Sequence, residues 1–173
     1  MEFVILLSLY AFSPKRLGKH HPPTRRIGFI LTSVITVSNT ASAVKLISEL
    51  ISGGIGSATQ LLASGGSIWL TNVVIFSVWF WDLDRGGPGS RAEAKKDWPD
   101  FLFPQMSDPS FAPKDWHPQF FDYLYMSFTN ASAFSPTDVL PLTRWAKMLM
   151  LLQSTTSLIV VGLVVAKAVN ILH

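Results

Sequence analysis

Between Tyr123 and Gln153 the chain reads YLYMSFTNASAFSPTDVLPLTRWAKMLMLLQ, and its polar residues are the ones whose types and spacing could do chemistry. Asn130, Ser132, Ser135, Thr137 and Asp138 bring an amide, three hydroxyls and a carboxylate into an otherwise apolar neighbourhood. Such groups can line a wet path for a small ion or solute, and a carboxylate at membrane depth is rare and usually functional. Asp138 could equally cap a turn by accepting backbone N–H bonds, and the two roles are compatible. A second polar belt, QSTTS from Gln153 to Ser157, lies about two turns inside the next apolar run. There Gln153 and Thr156 either face a shared aqueous axis or bond to neighbouring helices and backbone carbonyls.

The elements that must position these groups are set by composition. Of 173 residues, 14% are charged and 49% hydrophobic, against about 25% charged in soluble domains. With mean hydropathy at +0.34, this is a membrane composition. The net charge of +3 matters by position rather than by total, because the charges are grouped between apolar runs. No cysteine is present, so disulfides, thiolate metal sites and cysteine nucleophiles are excluded together.

Three runs are long enough to cross a hydrocarbon core of about 30 Å, which takes about 20 helical residues. They are Ile27 to Ile51, Leu61 to Trp81 and Trp145 to Leu172. Each carries Ser, Thr or Asn, as helices do when they bond to one another in lipid. Asn39 and Asn72 are expected as interhelical partners, Lys45 and Glu49 as a pair one turn apart, and Gly162 with Ala166 as a small-residue contact. Lys167 can snorkel to the boundary. Trp69, Trp79, Trp81 and Trp145 are expected near the helix ends, at headgroup level.

The opening run MEFVILLSLYAF is too short to span. It reads as the tail of a spanning helix whose beginning is missing from this start site, or as an interfacial anchor. The segment SPKRLGKHHPPTRR that follows is basic without an acid, which places it in the cytoplasm; its His20-His21 pair could suggest a metal, but topology signalling accounts for the segment. Two crossings later the connection from Asp82 to Pro118 returns to the same side. Rich in Pro, Gly and charge, it reads as an irregular surface loop whose aromatics lie on headgroups, on the next segment or on a partner. Arg85-Gly86-Gly87-Pro88 has no following Gly-Lys-Ser/Thr and reads as a helix stop and turn.

Gln119 to Ala133, between Pro118 and Pro136, is long enough for a half-membrane helix and too short for a crossing. The chain is expected to turn at Ser135-Pro136-Thr137-Asp138 and come back, which lipid tolerates only where protein or water meets the turn. The fold class is therefore an all-α membrane protein. It has three spanning helices, a short or truncated N-terminal helix over 1–12, and a re-entrant pore-type half-helix over 119–133 before the last span. Two units follow: residues 1–60, the N-terminal helices with the basic loop, and residues 61–173, in which span 61–81, surface loop 82–118, half-helix, turn 134–143 and span 145–172 make a pore-loop-like module.

From Ser127-Phe128, nine residues lead without a gap to Asp138, and Pro141-Leu142-Thr143 follows. This frame resembles the pore-loop module of tetrameric cation channels of the potassium family: pore helix, filter, aspartate, Pro-Leu-Thr, inner helix. In place of the family's Thr-Val-Gly-Tyr-Gly filter stands Ala133-Phe134-Ser135-Pro136-Thr137, with neither glycine and with a proline whose φ is locked. The resemblance implies the module's fold, a homo-oligomer (a tetramer if channel-like) and an axis near Ser132, Ser135, Thr137 and Asp138, without potassium selectivity. In that family the loop before the pore helix is extracellular, whereas the basic segment places it in the cytoplasm here. The segments LDRGGP, DFLFPQM and SFTNASAFSPTD are also similar to those of a family of bacterial integral membrane proteins, which implies a multi-pass protein of the bacterial inner membrane and no activity.

Two functions follow: an oligomeric pore-loop protein passing or sensing a small ion, or a non-transporting structural or partner-binding membrane protein that keeps the hairpin as packing. No His-Glu, Ser-His-Asp or carboxylate pair stands at usable spacing within one depth, so an enzyme is not expected. Nor is a cofactor, a metal or a nucleic-acid partner; the expected partners are the lipid bilayer and further copies of the chain.

Overall fold

The structure is a computed structural model that describes residues 22–53, 57–93, 97–108, 110–134 and 138–172. The expected short helix over 1–12, the basic segment with His20-His21, and Ser135 and Thr137 lie outside the described residues.

Helix α1 runs from Pro22 to Ile51, with prolines in its first turn, where their missing N–H groups have no intrahelical partner to lose. Helix α2, Ala58–Leu83, starts at Ser57, whose hydroxyl accepts from the Gln60 amide at 3.5 Å. It stops where the sequence reads RGGP. A 3-10 turn spans Asp84–Gly86, and Arg85, Gly86 and Gly87 all take positive φ (51°, 82° and 96°). At Gly87 a β-carbon would sit 2.8 Å from the Asp82 carbonyl oxygen and 3.1 Å from the Arg25 guanidinium, so this crossing of α1 and α2 admits only glycine.

The connection beyond is less irregular than the sequence suggested. It contains the short helices α3 (Pro88–Ala92) and α4 (Pro104–Ser107) and the two-residue strand β1 (Phe101–Leu102). Its aromatics divide: Phe101 and Phe103 pack edge-on against Tyr123 of the next segment, while Trp98 is 82% exposed.

Helix α5, Phe120–Ala133, opens with a reciprocal cap in which Asp122 accepts from the Gln119 amide at 2.6 Å, and it ends at Phe134 in the left-handed region (φ 56°). Strand β2 (Leu140–Pro141) then pairs antiparallel with β1, Phe101 opposite Pro141, and α6 follows over Arg144–Leu172.

Helix α2 is the centre of the bundle, with α1, α5 and α6 packed around it. α5 runs antiparallel to α2, since Tyr123 meets Asp84, Ser127 meets Val73 and Phe128 meets Trp69. One apolar core lies between the α2 C-terminal half, β1, α5 and the start of α6, around Phe80, Phe101 and Met126; a second joins α1, α2 and α6 around Leu46, Leu61 and Val164. In the second, a β-carbon on Gly65 would lie 2.6 Å from Val164 Cγ2, so a bare glycine lets α2 and α6 approach there.

Three stretches, Arg25–Ile51, Ala58–Gly86 and Arg144–Val169, are helices long and apolar enough to cross a membrane. Their outward side chains, among them Ile30, Val34, Leu70, Leu151 and Leu158, are exposed and apolar, which suits lipid. Two expectations need correction. Trp69 lies in the middle of α2 rather than near an end, and its ring packs edge-on against Phe128. Gly162 and Ala166 face outward, with nothing within 4 Å of a β-carbon on Gly162, so the close small-residue approach is made by Gly65 instead.

Candidate functional site

The polar side chains gather at two levels of the bundle. The inner level lies where α2, α5 and α6 meet. Gln153, with none of its surface exposed, is its hub. Its amide nitrogen donates to the Ser127 carbonyl at 3.0 Å and to the Ser127 hydroxyl at 2.7 Å, and its amide oxygen accepts from Asn130 Nδ2 at 2.8 Å. Asn130 donates also to the Met150 carbonyl (3.0 Å) and accepts from the Ser154 hydroxyl at Oδ1 (3.0 Å). Ser127 donates onward to the Val73 carbonyl at 2.6 Å. From α2, Asn72 donates to Ser157 Oγ at 3.0 Å and to the Gln153 carbonyl at 3.4 Å. Three helices are thereby joined by amides and hydroxyls that use nearly all their capacity, as an apolar surrounding demands.

The outer level lies at the end of α2. Asp84 is fully buried; its carboxylate accepts from the Tyr123 hydroxyl at 2.5 Å and from the backbone N–H groups of Asp100 (3.0 Å) and Phe101 (3.4 Å). Asp100 accepts from the Arg85 N–H at 2.8 Å and from Trp145 Nε1 at 2.9 Å, so one carboxylate ties the end of α2 to the start of α6. Arg91 donates to the Trp81 carbonyl of the last turn of α2 at 2.6 Å and to the Asp84 carbonyl just beyond it at 2.9 Å, and stacks over Trp81 and Tyr123. Buried Asp82 has the charges of Arg25 and Arg91 beside it. Asp84 and Asp100 are filled by donors, an arrangement for holding elements together rather than for moving protons.

The structure separates the residues singled out from the sequence. Asn130 and Gln153 come together, buried and bonded to each other. Within one copy Gln153 is bonded to Ser127 and Asn130 of α5. Thr156 donates to its own helix at the Leu152 carbonyl, and exposed Ser132 does the same at Phe128. Asp138 is exposed at the far side of the turn. Asn39 and Asn72 bond across helices as expected, Asn39 to the Ile68 carbonyl at 3.4 Å, and Lys45 pairs with Glu49 at 3.9 Å.

Sequence spacing gave no sign of the Asp84–Tyr123–Asp100–Trp145 group, whose members lie 16 to 45 positions apart in bonded pairs. The readable hint was WFWDLDR, carboxylates set directly behind an aromatic run that must be buried. Among the described residues no group of His, Asp and Glu could hold a metal ion. No protein-family model, curated protein or solved structure matches the chain.

Proposed function

We propose that the chain is a multi-pass membrane protein in which α5 enters the bilayer about halfway and re-emerges on the side it came from, forming the pore loop of a homo-oligomer that passes a small ion without potassium selectivity. The observation that carries this reading is the pairing of β1 with β2. The residues before α5 and those after it meet, Phe101 against Pro141, at the end of the bundle where Tyr123 meets Asp84. With 14 residues, α5 reaches about 21 Å, short of a crossing of about 30 Å. Its inner side is fixed to α2 and α6 through Ser127 and Asn130, while Phe128, Ser132 and Phe134 remain on the outside with Asp138. That leaves the turn, rather than Gln153, to meet a shared axis.

A second reading, a non-transporting membrane protein with the hairpin as packing, is favoured by the complete engagement of Asn130 and Gln153 within one copy. Flux separates the two. In liposomes the wild type is expected to pass a small cation and Asp138→Ala to pass it more slowly. No flux of any small ion, or equal flux in both, ends the first reading. Single cysteines at Trp116 and Trp145 are expected to label from the same side of the bilayer; labelling from opposite sides overturns the re-entrant path.

A further inference from the structure

Between α1 and α2 lies an open crevice of about 250 Å³, lined by Ser38, Asn39 and Ser42 on one helix and Ser67 and Thr71 on the other, with Ile35 and Ile68 as apolar walls. Its depth makes this polar lining unusual. Asn39 stands midway along Arg25–Ile51, the first of the membrane-length stretches, where the surroundings are hydrocarbon and a polar atom without a partner is costly.

The lining is not saturated. Asn39 is 9% exposed, and its amide nitrogen is turned to the Ile68 carbonyl at 3.4 Å, so the amide oxygen is left to the crevice and accepts no bond among the described residues. Reversing the amide would set oxygen against oxygen at Ile68. Ser42 and Thr71 donate to the carbonyls of Ser38 and Ser67, at 2.9 and 2.7 Å, which leaves their hydroxyl oxygens as further acceptors. The Ser38 and Ser67 hydroxyls form no bond among the described residues, and both residues are exposed, so each can turn a donor inward.

These groups define an occupant. No charged side chain lines the crevice, and an ion brought to this depth would lack a counter-charge, so the occupant is neutral. It must donate to Asn39 Oδ1 and accept from a serine, which one hydroxyl does. Water held here would face hydrocarbon on its outer side, because the crevice is open and Ser38, Ser42 and Ser67 lie at the surface. An acyl chain would cover that side and leave the amide oxygen unpaired. A molecule with a hydroxyl at one end and an apolar body at the other meets both demands, its body lying on Ile35 and Ile68. The volume, below the roughly 300–1,000 Å³ of most ligand pockets, keeps it small.

We propose that the crevice between α1 and α2 is a binding site for a small neutral alcohol taken from the bilayer, whose hydroxyl donates to Asn39 Oδ1 and accepts from Ser38 or Ser67. The site uses α1 and α2 alone. It rests on their placement across a membrane and stands whether or not the pore-loop reading holds.

Photolabelling of the full chain in liposomes tests it, with a diazirine-bearing octanol and the methyl ether of that octanol, which keeps the apolar body and loses the donor. The alcohol is expected to mark the residues around Asn39 and Ser67 saturably, to be displaced by plain octanol, and to bind about threefold more weakly or worse in Asn39→Leu, the loss of one hydrogen bond in lipid. The ether is expected to leave the crevice unmarked. Ser67→Phe fills the crevice from an exposed position and keeps Asn39; it is expected to abolish saturable marking and serves as a second variant should Asn39→Leu fold poorly. Both reagents are expected to mark outward Val34 and Leu70 without saturation, and failure there overturns the membrane placement on which the site rests. Equal marking of the crevice by alcohol and ether, affinity unchanged in both variants, or no saturable marking overturns the proposal. In the last case, disulfide cross-linking between copies carrying Ser42→Cys gives the crevice to a second copy instead.

Discussion

Replacing Gln153 by leucine tests the inner level directly, because the two side chains differ little in volume and greatly in what they can bond. The substitution removes three interhelical bonds, two to Ser127 and one from Asn130. In a bilayer such bonds average about 0.6 kcal/mol each, since the partly unfolded chain finds other partners in lipid. The expected loss is therefore about 2 kcal/mol, well below what three desolvated bonds would suggest. The residues left behind are not abandoned, as Asn130 still reaches the Met150 carbonyl and Ser127 still reaches Val73. Reversible unfolding in bicelles measures the loss, and a double-mutant cycle with Asn130→Leu isolates the shared term, expected at about 0.6 kcal/mol or more. A coupling of zero, or a Gln153→Leu protein as stable as wild type, would refute the claim that this side chain fixes α5 against α6.

Tyr123→Phe removes only the hydroxyl that donates to Asp84; thermal unfolding in detergent is expected to show a loss of about 1.5 kcal/mol, as a charged acceptor is involved, and an unchanged protein would mean the carboxylate is held by the backbone alone. Gly65→Ala places a β-carbon against Val164 and is expected to destabilise by about 1–3 kcal/mol. Adding Val164→Ala makes room and should recover part of that, whereas additive losses would show that α2 and α6 do not meet at this point.

How far the sequence could be read depended on whether an interaction leaves a local mark. Length and apolarity announced the three long helices, and RGGP announced the end of α2 because positive φ has a residue preference. The short α5 was legible from two prolines that bracket it. Direction around a helix was not. α6 is apolar on nearly every side, so no periodicity tells which of Gln153, Thr155 and Thr156 points inward, and only the position of α5 decides for Gln153. The same holds for glycines: Gly65 and Gly162 look alike in sequence, and a partner exists at one of them. The outer carboxylates were read as surface charge because their partners arrive from distant segments, and acids so near a helix end are ordinarily solvated.

The two faces of α5 lead to a condition on how many copies are needed. Inward, Tyr123, Ser127 and Asn130 are bonded to other elements; outward, Thr129 and Ser132 are bonded to carbonyls one turn back, so the helix body can lie against lipid on its free side without exposing a donor. Its C-terminal end differs. The last carbonyls of a helix have no N–H within it, and among the described residues Asn130 is the one of these reached from α6, by Ser154 at 3.3 Å. At the depth of Gln153 the others must be met by the turn, by water or by another copy, since hydrocarbon offers nothing. Water at that depth requires an enclosed space, and one half-hairpin encloses none. Subunit count therefore carries more weight than any substitution in α5: under the pore-loop proposal native mass measurement in detergent is expected to give a ring of four, and a strict monomer removes the conduit.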